Sequence, residues 1–335
     1  MKLITLKTAL ESKPQASDFT MIDAPTPACP DGGVLARVVH LSLDPYVGSR
    51  LRGKHMGEAA PEPGRDPIPG AIVGQVLESR ADGIREGDWV QSMEGGWQEI
   101  VALPAGHIRK LNPGQAPLAS HAGVLGMPGL TAWAGMTQLA KVGDGDTVLV
   151  DAAAGPVGGT VGQIARIKGA KRVVGIAGGA EKCSIVTDTY GFDACIDYKR
   201  ENWQDALKEA LPEGLSVFFE NVSAEMAMIA LANAQIYARG VLCGLAAAYH
   251  SPTAATHSLN MGTIIGKRAQ MLGLVVYDFY PKWDEYVNEA SDWINSGQLK
   301  FVEDRVEGLE NAPDLFERLM NGKNRGKAVV TVSAE

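Results

Sequence analysis

Short runs in which apolar and polar residues alternate fill the chain up to about Leu103, at 34–43 (VLARVVHLSL), 71–78 (AIVGQVLE) and 99–103, with Pro and Gly turns between them. A period of two puts every second side chain on a buried face, so this stretch predicts a mostly β unit. The texture changes after Pro128. TAWAGMTQLA predicts a helix from Thr131, and DTVLVDAAAG a buried strand running into glycine. From there strands predicted at 146–152, 172–177, 194–197, 215–220, 240–245 and 269–276 alternate with helical segments at 157–168, 181–190, 202–211 and 224–234. Six strands with crossover helices predict an α/β domain, a doubly wound parallel sheet. After an amphipathic helix at 283–295 the tail returns to short runs, FVEDRVEGL and KAVVTV, around a helical NAPDLFERLMNG. That return predicts a β-rich domain made from both chain ends, 1–125 and 299–335, with the α/β domain 126–298 inserted between them.

The 335 residues are enough for two domains with cores of their own. At 45% hydrophobic and 21% charged residues the chain is an ordinary globular one. A net charge of −8 leaves no broad basic surface to displace counterions from a nucleic acid, so no such partner is expected. Cys29, Cys183, Cys195 and Cys243 are scattered without CxxC spacing, which predicts buried free thiols in place of a disulfide framework or a clustered zinc site. The first residues carry too short an apolar run for a signal segment, and no run of about 18 apolar residues could span a bilayer. A soluble cytoplasmic protein with no membrane partner is the expectation.

Residues 147–162, TVLVDAAAGPVGGTVG, hold the strongest local signal: a hydrophobic strand stops at a glycine turn and an apolar helix begins. A dinucleotide needs this tight turn, close backbone approach and helix N–H groups aimed at its phosphates. The spacing is A-x-G-x-x-G, with Ala153 in the place of the first glycine, then Gly155 and Gly158; Gly162 allows close packing of helix on strand. The next strand, RVVGIAGG, ends on Gly178 and Gly179 where an NAD site carries an Asp or Glu for the ribose hydroxyls. Lys182 follows in the next helix, a cation for a 2′-phosphate or a solvated surface lysine. The site favours NADP(H) over NAD(H).

The sequence resembles the medium-chain dehydrogenase/reductase superfamily, in its zinc-independent leukotriene hydroxydehydrogenase/prostaglandin reductase branch with the curcumin reductase-like enzymes. The resemblance runs over nearly the whole chain, through LSLDPYVGSR (41–50), GMPGLTAW (126–133), AAAGPVGGTVGQIARIKGA (152–170), VVGIAGGAEKC (173–183), GFDACIDYK (191–199), FFENV (218–222), RGVLCG (239–244) and GKNRGKAVV (322–330). It implies a GroES-like β-rich catalytic domain with a Rossmann domain inserted, NADPH as hydride donor, reduction of carbon–carbon double bonds conjugated to a carbonyl, and a homodimer joined through the dinucleotide-binding domains. Carried onto matching positions, it implies that Pro156, Val157, Gly158 and Gly159 contact the pyrophosphate beside Gly155. Lys182 and Tyr198, near Gly178, hold the adenosine phosphate side. Asn221 and the segment 243–249, with Cys243, Gly244 and Tyr249, hold the nicotinamide side, and Asn324 closes the site from the tail. The zinc enzymes of the superfamily use cysteine, histidine and glutamate ligands. This chain lacks both their catalytic set and their four-cysteine lobe, so no metal is expected.

Reduction of an enone delivers hydride to the β-carbon while negative charge builds on the carbonyl oxygen, so a hydrogen-bond donor is needed there. Tyr277 is the first choice for that donor and Tyr46 the second; each also suits a buried aromatic with a backbone partner. Val47 and Gly48 depart from the family's Met-Arg after DPY, and Trp133 from its tyrosine. Arg50, Trp133, Tyr249 and Tyr280 join the two tyrosines as candidates for the substrate pocket, with Arg50 either meeting a substrate carboxylate or serving structure. The reading is an NADPH-dependent 2-alkenal/enone reductase. Its alternatives are an NADPH quinone oxidoreductase and a non-catalytic NADPH-binding sensor on the same fold.

Overall fold

The structure is a computed structural model that describes residues 1–244, 246 and 258–335. It divides into two compact units: Met1–Gly123 with Glu303–Glu335, and the described part of Val124–Ala248 and Ala254–Val302.

In the first unit β1 (Lys2–Leu6) and β2 (Phe19–Asp23) form an antiparallel pair. Beside it β3 (Gly33–Ser42), β4 (Ile72–Ser79), β5 (Trp89–Ser92), β6 (Ile100–Pro104) and β7 (Arg109–Leu111) belong to a seven-stranded sheet. Six strands of the other unit intervene: β8 (Thr147–Val150), β9 (Arg172–Ala177), β10 (Ala194–Asp197), β11 (Leu215–Glu220), β12 (Ala234–Leu242) and β13 (Gln270–Gly273). The tail then adds β14 (Glu303–Glu307) and β15 (Lys327–Thr331) to the first sheet, whose order is β14-β15-β3-β4-β5-β7, with β6 also on β3. Val329, Val330 and Thr331 of β15 lie antiparallel to Ser42, Leu41 and His40. Because β3 is a central strand covered on both faces, the alternation in its sequence gives way to burial of nearly every position. Phe19 and Phe316 pack on the fully buried Trp97, with ring centroids 5.4 and 5.3 Å from it, at the centre of this core.

The second unit carries the parallel sheet, in the order β10-β9-β8-β11-β12-β13. The chain starts in the middle, builds outward on one side, then reverses; the switch lies between β8 and β11. Strands β9, β10 and β11 have their predicted limits, and so has the helix Trp283–Asn295. The largest differences are in two elements. The helix expected from Thr131 starts at Met127, since Pro128 sits in its first turn, where a missing N–H costs nothing, and starts the helix instead of stopping it. Strand β12 starts at Ala234, six residues early, because it contains a bulge: Ala234 lies opposite Leu215 but Arg239 opposite Val217, and Tyr237 within the bulge has φ +68°. Among the described residues no helix is long and apolar enough to cross a membrane.

Candidate active site

Every strand of the parallel sheet ends at one edge, so the segments that follow them share that edge. After β8 the chain turns through Ala152 at φ +44° and enters the helix Pro156–Ile167, with Gly155 as its N-cap and Pro156 in its first turn. Gly155 N–H donates to the Ala152 carbonyl at 2.8 Å, closing the turn. A Cβ on Gly158 would lie 2.6 Å from that carbonyl oxygen and 2.9 Å from Ala153 Cα, so only glycine lets the helix start sit this close to the turn. The departure at Ala153 is accommodated by a second glycine: Ala153 is fully buried, and a Cβ on Gly175 of β9 would lie 2.7 Å from the Ala153 methyl. Gly159 and Gly162 admit the rings of Tyr190 and Phe192. The first-turn N–H groups of the helix have no carbonyl four residues back and point at the space before the turn. Such a cradle fits a pyrophosphate.

After β9 the chain passes Gly178 and Gly179, the latter at φ +100°, into the short helix Ala180–Ser184. Lys182 on this helix is half-buried. Tyr198 covers Gly178, whose Cβ would lie 2.9 Å from the Tyr198 ring and hydroxyl and 3.0 Å from Lys199 Cε. Asp197, at the end of β10, accepts the Gly179 N–H at 2.7 Å and the Lys199 N–H at 3.1 Å. Those two backbone donors, Gly179 first, hold its carboxyl below the ordinary range. Lys182, Lys199 and Arg200 thus stand on the segments that follow β9 and β10. The last two carry no signal of their own in the sequence, because only the pairing of β10 with β9 brings them near the glycine-ended strand.

At the switch point β8 and β11 each end on a carboxyl group, Asp151 and Glu220. Both are buried, and each carboxyl acts on the protonation of the other. Asp151 Oδ1 accepts the Asn221 backbone N–H at 2.8 Å and its Nδ2–H at 3.1 Å; Glu220 Oε1 accepts the Val222 and Ser223 N–H groups, both at 2.6 Å. Burial raises both carboxyls, Glu220 to about 9 with the Asp151 charge as second cause, so the pair shares a proton at neutral pH. Asn221 is therefore held by three bonds to Asp151, the third from Nδ2 to the backbone carbonyl at 3.3 Å. Cys243 and Gly244 donate their N–H groups to the Glu220 carbonyl at 2.9 and 3.3 Å, which places the start of the 243–249 segment beside the pair. Burial pushes the Cys243 thiol up to about 12. Neither acid was singled out in the sequence; strand order alone makes them neighbours. Tyr249 lies outside the described residues.

Tyr277 follows β13 by four residues, within the turn Val276–Lys282, and its ring meets that of Tyr280 edge-on at 5.4 Å. Tyr280 lies 4.9 Å from Trp283, whose indole N–H donates to the Leu125 carbonyl at 3.0 Å. Trp133 is 1% exposed and packs 6.0 Å from Tyr286 in the core of the parallel-sheet unit. In the β-rich unit Tyr46 opens the turn Val47–Arg50 and packs 4.9 Å from His55. Arg50 is engaged by Glu58 and by Glu94 at 3.2 Å, so its charge is already balanced and a substrate carboxylate would have to displace them. Gly48 leaves room for Met320, whose Cε a Cβ there would meet at 2.4 Å. Asn324 is buried, with Nδ2–H donated to the Gly326 carbonyl at 2.7 Å. Among the described residues no group of three His, Cys, Asp or Glu converges as metal ligands.

A glycine-turn parallel sheet of this strand order, with a β-rich partner unit, defines a dinucleotide-binding oxidoreductase class. Two family models match: the N-terminal domain of oxidoreductase over residues 2–111 and zinc-binding dehydrogenase over 156–296. The chain is 37% identical to NADPH-dependent curcumin reductase from Escherichia coli (strain K12) over 93% of this chain and 91% of that one. It is 36% identical to 2-alkenal reductase (NADP(+)-dependent) from Nicotiana tabacum over 100% and 98%. The crystal structure of CurA in complex with NADPH from Vibrio vulnificus superposes with a TM-score of 0.90 at 35% identity, covering all of both chains. The chain therefore belongs to the zinc-independent leukotriene hydroxydehydrogenase/prostaglandin reductase branch of the medium-chain dehydrogenase/reductase superfamily, with its GroES-like and Rossmann domains.

Proposed function

We propose that this oxidoreductase reduces the carbon–carbon double bond of α,β-unsaturated aldehydes and ketones with NADPH. When bound, NADPH supplies the hydride from nicotinamide C4 to the substrate's β-carbon. The observation that carries the coenzyme choice is the strand end at Gly178 and Gly179: glycines stand where a ribose-binding acid would, the Asp197 carboxylate beside them is held by the Gly179 and Lys199 N–H groups, and Lys182, Tyr198, Lys199 and Arg200 stand on the segments after β9 and β10. Gly155, Pro156, Val157, Gly158 and Gly159 form the pyrophosphate cradle. Asn221, fixed by Asp151, orients the nicotinamide amide together with Cys243 and Gly244, and Asn324 contributes from the tail. Tyr277 donates to the carbonyl oxygen as charge builds there, with Tyr46 as the second candidate; solvent supplies the proton to the α-carbon. No metal takes part. The names of the two relatives support the substrate class.

The exposed Ile236, Tyr237, Met261 and Ile265, beside the edge strand β13, support a homodimer through the Rossmann domains. Four free cysteines suit a reducing compartment, and the cytoplasm is the proposed location. The test is initial rates with saturating NADPH on trans-2-alkenals, curcumin-like dienones and quinones. Turnover of the alkenals or dienones to saturated carbonyls is expected. Activity confined to quinones, or tight NADPH binding with no turnover of any of them, would overturn the reading.

A further inference from the structure

Cys183 and Cys195 are twelve residues apart and sit on different elements, the helix Ala180–Ser184 and strand β10, yet their sulfurs are 2.7 Å apart. Both are half-buried, so solvent reaches them. The other two cysteines make no such pair: Cys29 is buried against the backbone carbonyls of Pro30, Gly33 and Glu78, and Cys243 lies beside the Asp151–Glu220 pair. The position of the thiols is specific. Cys183 directly follows Lys182, its N–H closes onto the Gly179 carbonyl at 3.1 Å, and Cys195 is two residues before Asp197, which holds the Gly179 N–H. The two sulfurs therefore join the helix that follows β9 to strand β10 itself, next to the segments on which the proposed phosphate-binding groups stand.

We propose that Cys183 and Cys195 form an oxidisable dithiol, which a hydroperoxide closes to an intramolecular disulfide, and that closure weakens the grip on the 2′-phosphate of NADPH. The first step is attack of the Cys183 sulfur on one peroxide oxygen: the O–O bond breaks, Cys183 becomes a sulfenic acid, and the second oxygen leaves as water or alcohol. Cys195 then attacks the Cys183 sulfur, the S–O bond breaks, and water leaves. Two electrons pass from the sulfurs to the peroxide, and both thiol protons end in the released water or alcohol. Cys183 is the attacking thiol because the Cys195 S–H donates to it and favours its thiolate, whereas burial and Cys183 itself both raise Cys195. Burial is the main cause raising Cys183, with the Asp197 charge adding to it and Cys195 and Arg200 opposing it, so alkaline buffer speeds the reaction.

A disulfide bond is about 2.0 Å long, so closure draws Cys183 toward β10 by a fraction of an ångström. The helical segment runs on from Ala180 to Thr189, but it leaves a glycine at φ +100° and Cys183 lies next to Lys182 near that free end, so closure shifts the end of the segment and Lys182 with it. A charge-assisted N–H···O contact is about 2.7–2.9 Å long, so a shift of the Lys182 backbone lengthens and weakens it. NADH has no 2′-phosphate and is indifferent to the change.

The effect on coenzyme rests on the NADPH reading above; formation of the disulfide does not, and the two are measured separately. The purified protein is treated with hydrogen peroxide and examined by intact mass and peptide mapping. Loss of two hydrogens, with Cys183 linked to Cys195 and the link absent in Cys183→Ser and in Cys195→Ser, is expected. Peroxide that only adds oxygen to single cysteines, or a link between other cysteines, would overturn the pair. Equilibrium binding of NADPH and of NADH is then compared before and after oxidation. The NADPH Kd should rise at least threefold, recover with dithiothreitol, and leave the NADH Kd unchanged. An unchanged ratio of the two constants after complete disulfide formation would overturn the coupling to the phosphate site, whereas absence of NADPH binding by the reduced protein would count against the proposed function alone.

Discussion

In the proposed reading Lys182 carries the coenzyme discrimination in its ammonium group. Replacing it by alanine removes a charge-assisted contact to the 2′-phosphate, and about 1.4 kcal/mol corresponds to a tenfold change in affinity. Lys182→Ala should therefore raise the NADPH Kd by about tenfold and leave that of NADH unchanged, as titration of coenzyme fluorescence can read; an equal rise for both would reject the role. The Asp151–Glu220 pair makes a second, separable demand. Its carboxyls are raised, so from the ordinary carboxyl range, about 4.3, up to about 9 the native pair holds a proton that the unfolded chain has lost. Stability supplied by that proton is complete at the acid end and declines as the pH rises. Tm should fall between about pH 6 and pH 9, and Asp151→Asn should flatten the fall by removing the charge that faces Glu220. A steeper fall in the variant would contradict the shared proton. Neither acid was visible in the sequence, since each looks like an ordinary residue ending a strand and they meet only because β8 and β11 are neighbours. The glycines were legible because close backbone approach admits no other residue.

Strands were legible where a β-branched run ended on a clear stop, as in RVVGIA before two glycines or ACID before its turn. They were not where local chemistry pointed two ways. AQIYAR shows neither strand nor helix period, and its bulge is imposed by pairing with β11 on one side and β13 on the other. The return of β15 to the first sheet was readable in texture, but the contact that anchors it was not. Lys327, 3% exposed, reaches the Leu43 carbonyl at 2.5 Å and Asp44 at 2.9 Å, and Ser42 also donates to Asp44. Burial lowers the Lys327 amine while Asp44 opposes that shift. Lys327→Met leaves Asp44 buried with an uncompensated charge, and should cost about 3–5 kcal/mol in urea unfolding. Adding Asp44→Asn should restore a large part of that loss; no recovery would mean that the lysine stem, not the ion pair, supports the strand.

Two chains joined through Rossmann domains would cover the apolar side chains left open on the bulge of β12 and on the helix Met261–Lys267. Tyr237→Glu with Ile265→Glu should turn a dimer into a monomer in analytical sedimentation without changing the far-UV spectrum; a wild-type monomer would remove the proposal. The two-domain plan itself was legible because its halves differ in period, alternating residues against strand–helix repeats. What texture could not convey is the order in which such a chain becomes whole. His40, Leu41 and Ser42 of β3 pair with a strand that lies almost at the other terminus, past the entire inserted domain. On the ribosome the guest can finish folding while its host still waits with a bare edge, which is covered only once β15 has emerged. Nascent chains stalled shortly before β15 would expose that edge to any passing strand, so the interval before β15 emerges is one in which a chaperone would protect the chain.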